Sequence, residues 1–209
     1  MNTNSLFDND QGEFLPMLDA TVFLANNIEF NLSHEKLLTA LIDVTPWRCE
    51  EIVMWGKRMQ QPRLSAWHGD SQSHYSYSGI HLTPLPWTSL LIHIKHKIES
   101  IANSQFNSVL LNYYRNNLDS MGMHSDDEKE LGKRPVIASF SLGAERTLIF
   151  KHKQKKHHTV KIPLQSGSLL IMSGETQKYW SHGISKEKKP CGPRVNLTYR
   201  KITQTNHNL

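Results

Sequence analysis

The 209-residue sequence predicts an α+β chain that is mainly β: a sandwich or jelly roll with N-terminal helices packed on one outer face. Three observations carry this. Two segments before residue 105 place apolar residues at three- and four-residue spacing, the period of an amphipathic helix. Beyond residue 105 the texture changes to short apolar and β-branched runs separated by Gly, Pro, Ser and Lys clusters. Neither G-x-G-x-x-G nor a Walker sequence occurs, which argues against a doubly wound nucleotide-binding sheet.

The first helix is expected from Ser33, a residue suited to capping, with Leu37, Leu38, Leu41 and Ile42 on its apolar stripe and Pro46 as its stop. A second is expected over about 86–103, with Pro86 in its first turn and Leu90, Leu91, Ile94, Ile98 and Ile101 facing the core. Strands follow over 106–114, over 136–142 and 147–150 on either side of Gly143, and over 159–162, 168–172 and 195–202. The chain thus divides into a mobile tail at 1–12, a helical region at 13–105, a strand core at 106–202 and a second tail at 203–209.

Composition narrows the function. The balance of 24 Lys+Arg against 19 Asp+Glu gives a net charge of +5, which suits a polyanionic partner. Hydrophobic residues at 38% exclude a mostly disordered chain. Two cysteines, Cys49 and Cys191, in no C-x-x-C pair do not make a secreted disulfide scaffold. The N-terminus lacks the basic start and apolar run of a signal peptide, and no apolar stretch approaches the ~20 residues of a membrane span. These features predict a soluble intracellular monomer, in the cytoplasm or in a eukaryotic nucleus, with no membrane partner.

The chemistry starts at Met123-His124-Ser125-Asp126. In an extended segment residues i and i+2 share a side, so His124 and Asp126 can meet one ion, and His182 is the candidate third ligand. Two histidines and a carboxylate on one face suit a non-haem Fe(II) that keeps open positions for dioxygen; zinc suits the same ligands. Among 12 histidines an H-x-D tripeptide alone decides little. The segment 194–200 adds independent weight. Arg194, Asn196, Thr198 and Arg200 alternate with Val195, Leu197 and Tyr199, giving one polar and one apolar face. Either the polar face lies in solvent on an edge strand, or it lies inside and its two arginines meet an anion, for which a dicarboxylate is well matched.

H-x-D, a distant His, then R-x-N-x-T-x-R resembles the pattern of the AlkB-like Fe(II)/2-oxoglutarate dioxygenases. The resemblance extends over roughly 53–202. Leu111-Asn112-Tyr113-Tyr114 is similar to the family's N-x-Y strand, and His124-Ser125-Asp126-Asp127-Glu128 to its metal segment. Ile137 to Gly143 with Arg146, and Gly167 to Leu170, resemble later strands; Gln61-Pro62-Arg63 and Tyr77-Ser78-Gly79 resemble the nucleotide lid. The resemblance implies a double-stranded β-helix with iron on His124, Asp126 and His182. It places 2-oxoglutarate against Asn112, Tyr114, Arg194, Asn196, Thr198 and Arg200, with Arg194 at the distal carboxylate and Arg200 and Asn112 nearer the iron. Fe(II), 2-oxoglutarate and O2 are then the cofactor and cosubstrates, and the implied activity is oxidative demethylation of N-alkylated bases such as 1-methyladenine and 3-methylcytosine in DNA.

A base inside a duplex cannot reach a buried metal, so it must be flipped out or start single-stranded. His68 (where the family often has tyrosine) and Tyr77 are the candidates for sandwiching it, and Asp127 and Glu128 for meeting its edge. Val53-Met54-Trp55-Gly56-Lys57 offers an apolar tip with Trp55 as a wedge into the base stack. The basic runs 151–158 and 186–189 offer contacts to phosphates, or are simply solvated. The partner expected is duplex and single-stranded DNA. RNA, a protein side chain hydroxylated by the same fold, and a non-catalytic jelly-roll binding module are the alternatives.

Overall fold

The computed structural model describes residues 12–54, 57–73, 75–77 and 80–203. Trp55, Gly56, Ser78, Gly79 and most of both expected tails lie outside the described residues, as does the side chain of Tyr77. In chain order the elements are β1 (Gly12–Phe14), β2 (Thr21–Ala25), α1 (His34–Val44), β3 (Glu51–Met54), β4 (Lys57–Gln60), β5 (Leu64–Gly69), β6 (Tyr75–Tyr77) and β7 (Ile80–Leu82). Then come α2 (Ser89–Ala102), β8 (Ser108–Tyr114), β9 (Met121–His124), β10 (Ile137–Gly143), β11 (Arg146–His152), β12 (Thr159–Leu164) and β13 (Leu169–Ser173). The short α3 (Thr176–Tyr179), β14 (Trp180–Ile184) and β15 (Arg194–Arg200) complete the series.

Seven strands form one antiparallel sheet in the order β1-β2-β13-β10-β15-β8-β5, and four form a second in the order β12-β11-β14-β9. The two strand pairs β3-β4 and β6-β7 stand apart as separate hairpins. The large sheet is covered on its outer face by both helices. Leu37 and Leu41 of α1 and Leu91, Ile94, Ile98 and Ala102 of α2 pack there on Val109, Leu111, Ala138, Phe140, Leu142, Val195, Leu197 and Tyr199. A second cluster joins the two sheets through Ile137, Leu148, Phe150, Leu164, Leu170, Met172, Trp180 and Ile184. This is the mainly β, jelly-roll architecture with helices on one face that the sequence predicts.

Local chemistry explains the element ends. Ser33 caps α1 by accepting from the Lys36 amide at 3.3 Å. The second helix begins later than Pro86 because Thr88 is its cap, accepting from the Leu91 amide at 3.2 Å; Pro86 instead offers its carbonyl to His68. Asn103, in the left-handed region at φ 44°, closes the other end. The sheet also reaches well outside 106–202: β1, β2 and β5, all from the N-terminal region, supply three of its seven strands.

Candidate metal and cosubstrate site

Alternation on three neighbouring strands lines the space between the sheets. On β15 the residues Val195, Leu197 and Tyr199 enter the helix-side cluster, so Arg194, Asn196, Thr198 and Arg200 face inward. The polar face of this strand is therefore the inner one, and Arg194 is 2% exposed. On β10, Ala138, Phe140 and Leu142 take the helix side and turn Ser139 and Ser141 inward. On β8, Asn112 and Tyr114 lie directly across from Asn196 and Arg194. Both are buried. The resulting cavity has Leu148, Leu164 and Ile184 of the second sheet as its apolar wall.

His124, Asp126 and His182 converge at this cavity, one ligand atom from each lying within 4.8 Å of the others. The sheet register produces this. His124, the last residue of β9, pairs directly with His182 of β14, and the register shifts between His182 and Ile184. Gly183 permits the close approach: a Cβ there would lie 2.9 Å from the carbonyl oxygens of both Met121 and Gly122. Asp126 follows two residues beyond His124, its oxygens 3.9 Å from His124 Nε2 and 3.8 Å from His182 Nε2.

Each ligand is held ready. His124 Nδ1 lies 2.9 Å from the Gly122 carbonyl oxygen, which can only accept, so Nδ1 is the donor of that bond and Nε2 is the nitrogen left to face a metal. Asp126 is buried, which alone would raise its carboxyl, but Arg200, reinforced by the two histidines, outweighs burial and holds it below the ordinary carboxylate value. The Arg200 contact is a charge-assisted bond of 2.7 Å from Nη2 to Asp126 Oδ1. Burial drives His182 down to about 4 against the pull of Asp126, so it is neutral and metal-competent at pH 7.

That last shift has a measurable consequence. His182 has a lower pKa folded than unfolded, so below its ordinary value of 6.5 the unfolded chain binds more protons. The metal-free protein should lose stability as pH falls from 6.5 toward about 4, by on the order of 3 kcal/mol from this residue. His68, also shifted down by burial, adds in the same direction. Urea midpoints at pH 7.5 and 4.5 in wild type and His182→Asn check this; equal pH dependence in the two proteins would refute it.

The structure sorts the other expected residues. Arg194 lies over the Tyr114 ring, 5.1 Å from guanidinium carbon to ring centre, and donates to Ser141 Oγ at 2.9 Å. Its Nε and Nη1 are buried without a hydrogen-bond partner. A second buried guanidinium, Arg146, also lies over the Tyr114 ring at 5.6 Å and fastens the loop after β8 through the carbonyls of Asn116 and Asp119. Asn112 Oδ1 accepts from Arg63 Nε at 2.7 Å. Asn196 lines the cavity with its amide already occupied: it donates to Ser139 Oγ and the Phe140 carbonyl and accepts from Thr198 Oγ1 at 3.0 Å. These bonds join β15 to β10.

The substrate candidates are less unified. His68 pairs with Val109, on the helix side of the sheet, and is 3% exposed with Nδ1 2.6 Å from the Pro86 carbonyl oxygen. It is packed behind the sheet and cannot sandwich a base beside the metal, which corrects the expectation. Asp127 is exposed and paired with Lys153 at 3.2 Å; Glu128 is half-buried with one oxygen lacking a partner. Ser139, in the cavity wall, and Ser141, which accepts from Arg194, are absent from the expected set, although two serines at alternate positions in an apolar strand are a legible sign of an inward polar face. Gln177 has no such local signal.

A model of the 2OG-Fe(II) oxygenase superfamily matches residues 21–200, nearly the whole described chain. The chain belongs to the 2OG-Fe(II) oxygenase superfamily. It is 42% identical over 175 residues to the human alpha-ketoglutarate-dependent dioxygenase alkB homolog 3, covering 79% of this chain and 60% of that one. It is 39% identical over 161 residues to the human DNA oxidative demethylase ALKBH2, covering 74% of this chain and 62% of that one. The chain thus spans less than two thirds of the length of these relatives. The solved structure of OsALKBH1 superposes with a TM-score of 0.62 at 16% identity, over 86% of this chain and 97% of that one, a likeness of fold.

Membership decides between iron and zinc, a choice the ligand set leaves open. Fe(II) is the superfamily's metal, and 2-oxoglutarate and O2 are its cosubstrates. The residues fit both groups. Two histidines and a carboxylate form the facial set that suits Fe(II), and Asp126 Oδ2 is buried without a hydrogen-bond partner. The unpartnered donors of Arg194, buried in the cavity wall, fit a carboxylate. Among the described residues no helix is long and apolar enough to cross a membrane.

Proposed function

We propose that this chain is an oxidative demethylase of N-alkylated bases in nucleic acid, with DNA as its principal substrate and 1-methyladenine and 3-methylcytosine as its lesions. The observation that carries the reading is one cavity with a two-histidine, one-carboxylate set at one side and, in its wall, the Arg194 guanidinium with Nε and Nη1 open to a ligand. The family likeness supplies the substrate class. When bound, iron with 2-oxoglutarate and O2 supplies the oxidising power to hydroxylate an N-methyl carbon, after which formaldehyde leaves and the base is restored.

The chain's residues bind and orient. His124, Asp126 and His182 hold the metal, and Arg200 fixes the Asp126 carboxylate. Arg194 with Tyr114 takes the distal carboxylate of 2-oxoglutarate, while Asn112 and Thr198 bound the cavity between the two arginines. Residues 13–105 contribute the nucleotide lid through the hairpins β3-β4 and β6-β7, with Tyr77 stacking on the flipped base and Trp55 filling the gap in the duplex. Asp127 and Glu128 lie beside the metal segment, where a carboxylate favours a cationic methylated base. Lys151, Lys156, Lys186, Lys188 and Lys189 are exposed and free to meet phosphates, whereas Lys153 is engaged by Asp127.

The test is anaerobic loading with Fe(II) and 2-oxoglutarate, then air, with a 3-methylcytosine oligonucleotide analysed by mass spectrometry as duplex and as single strand. Loss of one methyl mass with succinate formed, abolished in His124→Ala, is the expected result. Trp55→Ala should lower the duplex rate more than the single-strand rate. Succinate without methyl loss on DNA or RNA would redirect the search to a protein side chain.

A further inference from the structure

Asp126 is held from behind by a residue that lies in none of the sequence motifs. β9 ends at His124, so no strand ladder bonds the backbone at Asp126. Its N–H instead donates to Gln177 Oε1 at 2.9 Å, a buried contact between residues 51 apart in sequence. The other end of the Gln177 side chain is fixed as well, Nε2 donating to Met172 Sδ at 3.4 Å. Gln177 is 3% exposed and lies in α3, the single turn that leads directly into β14 and His182.

That turn is itself anchored on both sides. Thr176 Oγ1 accepts from the Thr21 amide at 3.0 Å and lies 2.6 Å from the Ser173 carbonyl oxygen, to which it donates. Lys153 Nζ donates to the Gln177 carbonyl at 2.8 Å and to Asp127 Oδ2 at 3.2 Å. One short turn is thus bonded to one metal ligand and covalently continuous with another. Gln177 thus ties Asp126 to the turn that precedes His182, beside the direct pairing of His124 with His182 and the Ser125 Oγ bond to the Trp180 carbonyl at 2.9 Å.

We propose that Gln177 is a positioning residue of the metal centre: its side-chain oxygen fixes the Asp126 backbone so that the carboxylate meets the metal held by the two histidines. Groups that orient metal ligands from outside the coordination sphere typically contribute 10- to 100-fold in affinity. Gln177 occupies that place for the one anionic ligand of the set.

The test is Mn(II) titration of the full chain without 2-oxoglutarate, with free Mn(II) read by electron paramagnetic resonance and metal-free melting measured alongside. Gln177→Met removes the acceptor at similar volume, Gln177→Ala opens room for water at the amide, and Gln177→Glu keeps an acceptor. The Met protein should bind Mn(II) weaker by up to ~100-fold and the Ala protein by about tenfold, with the Glu protein as tight as wild type or tighter. A structural role alone would shift melting in all three and leave metal affinity unchanged. Wild-type affinity in a folded Met or Ala protein would overturn the proposal. So would a Glu protein as weak as the Ala protein, a comparison that holds even if the Met variant does not fold.

Discussion

Arg194→Met is expected to weaken 2-oxoglutarate binding by roughly 10²- to 10³-fold while leaving the ligand-free protein at least as stable as wild type. The two effects have one cause. The Arg194 guanidinium is buried with Nε and Nη1 unpartnered, and burial lowers its pKa from the ordinary value. A desolvated cation with open donors weakens the ligand-free fold, so replacing it with an apolar chain of similar length is neutral or favourable. Once a carboxylate is present, the same donors form the fork-to-fork pair, whose truncation costs about 2–5 kcal/mol. Calorimetry under argon with Mn(II) in place of iron measures the affinity, and melting without ligand measures the stability. Unchanged affinity would remove Arg194 from the cosubstrate site.

The second large effect is expected at Asp126. Asp126→Asn keeps the side-chain volume but exchanges the only anionic ligand for a neutral amide, so Mn(II) affinity should fall by at least ~10²-fold and turnover should vanish. The substitution also removes the charge that Arg200 meets at 2.7 Å, so the metal-free fold should lose about 1–3 kcal/mol. A double mutant with Arg200→Gln separates the two losses. If Arg200 acts through Asp126, the second substitution adds little to the metal defect. Independent, additive losses would show that it acts elsewhere.

Much of this architecture is legible in the amino-acid sequence. Leu37 and Leu41, and Leu91, Ile94 and Ile98, sit at helical spacing and are the residues that α1 and α2 bury. The alternation from Arg194 to Arg200 fixes a strand, but only its neighbours tell which face is inner: helices cover Val195, Leu197 and Tyr199. β9 is an edge strand with two of its four residues exposed and little apolar alternation, so it gives no strand signal despite carrying His124. β2 is a clear apolar run, Thr21–Ala25, whose place beside β13 rests on pairing across more than 140 residues. The expectation for His68 fails for a similar reason. Period two says that its side chain is opposite in sense to Trp67, and only the pairing with Val109 says which sense that is. Gln177 shows the limit of local reading: its partner lies 51 residues away, and a glutamine in a four-residue turn has no pattern to betray it.

The bond between Arg200 and Asp126 also bears on how the protein matures. A site built from bare like charges would repel itself until a cation arrived, and folding would then wait on iron, as zinc-finger folding waits on zinc. Here the carboxylate already has a resident counter-charge from the adjoining sheet, and burial keeps the His182 imidazole neutral at physiological pH. A counter-charge already in place favours a chain that folds first and takes up iron afterwards. Were folding to precede iron uptake in this way, iron scarcity would lower the activity of this protein and leave its amount unchanged.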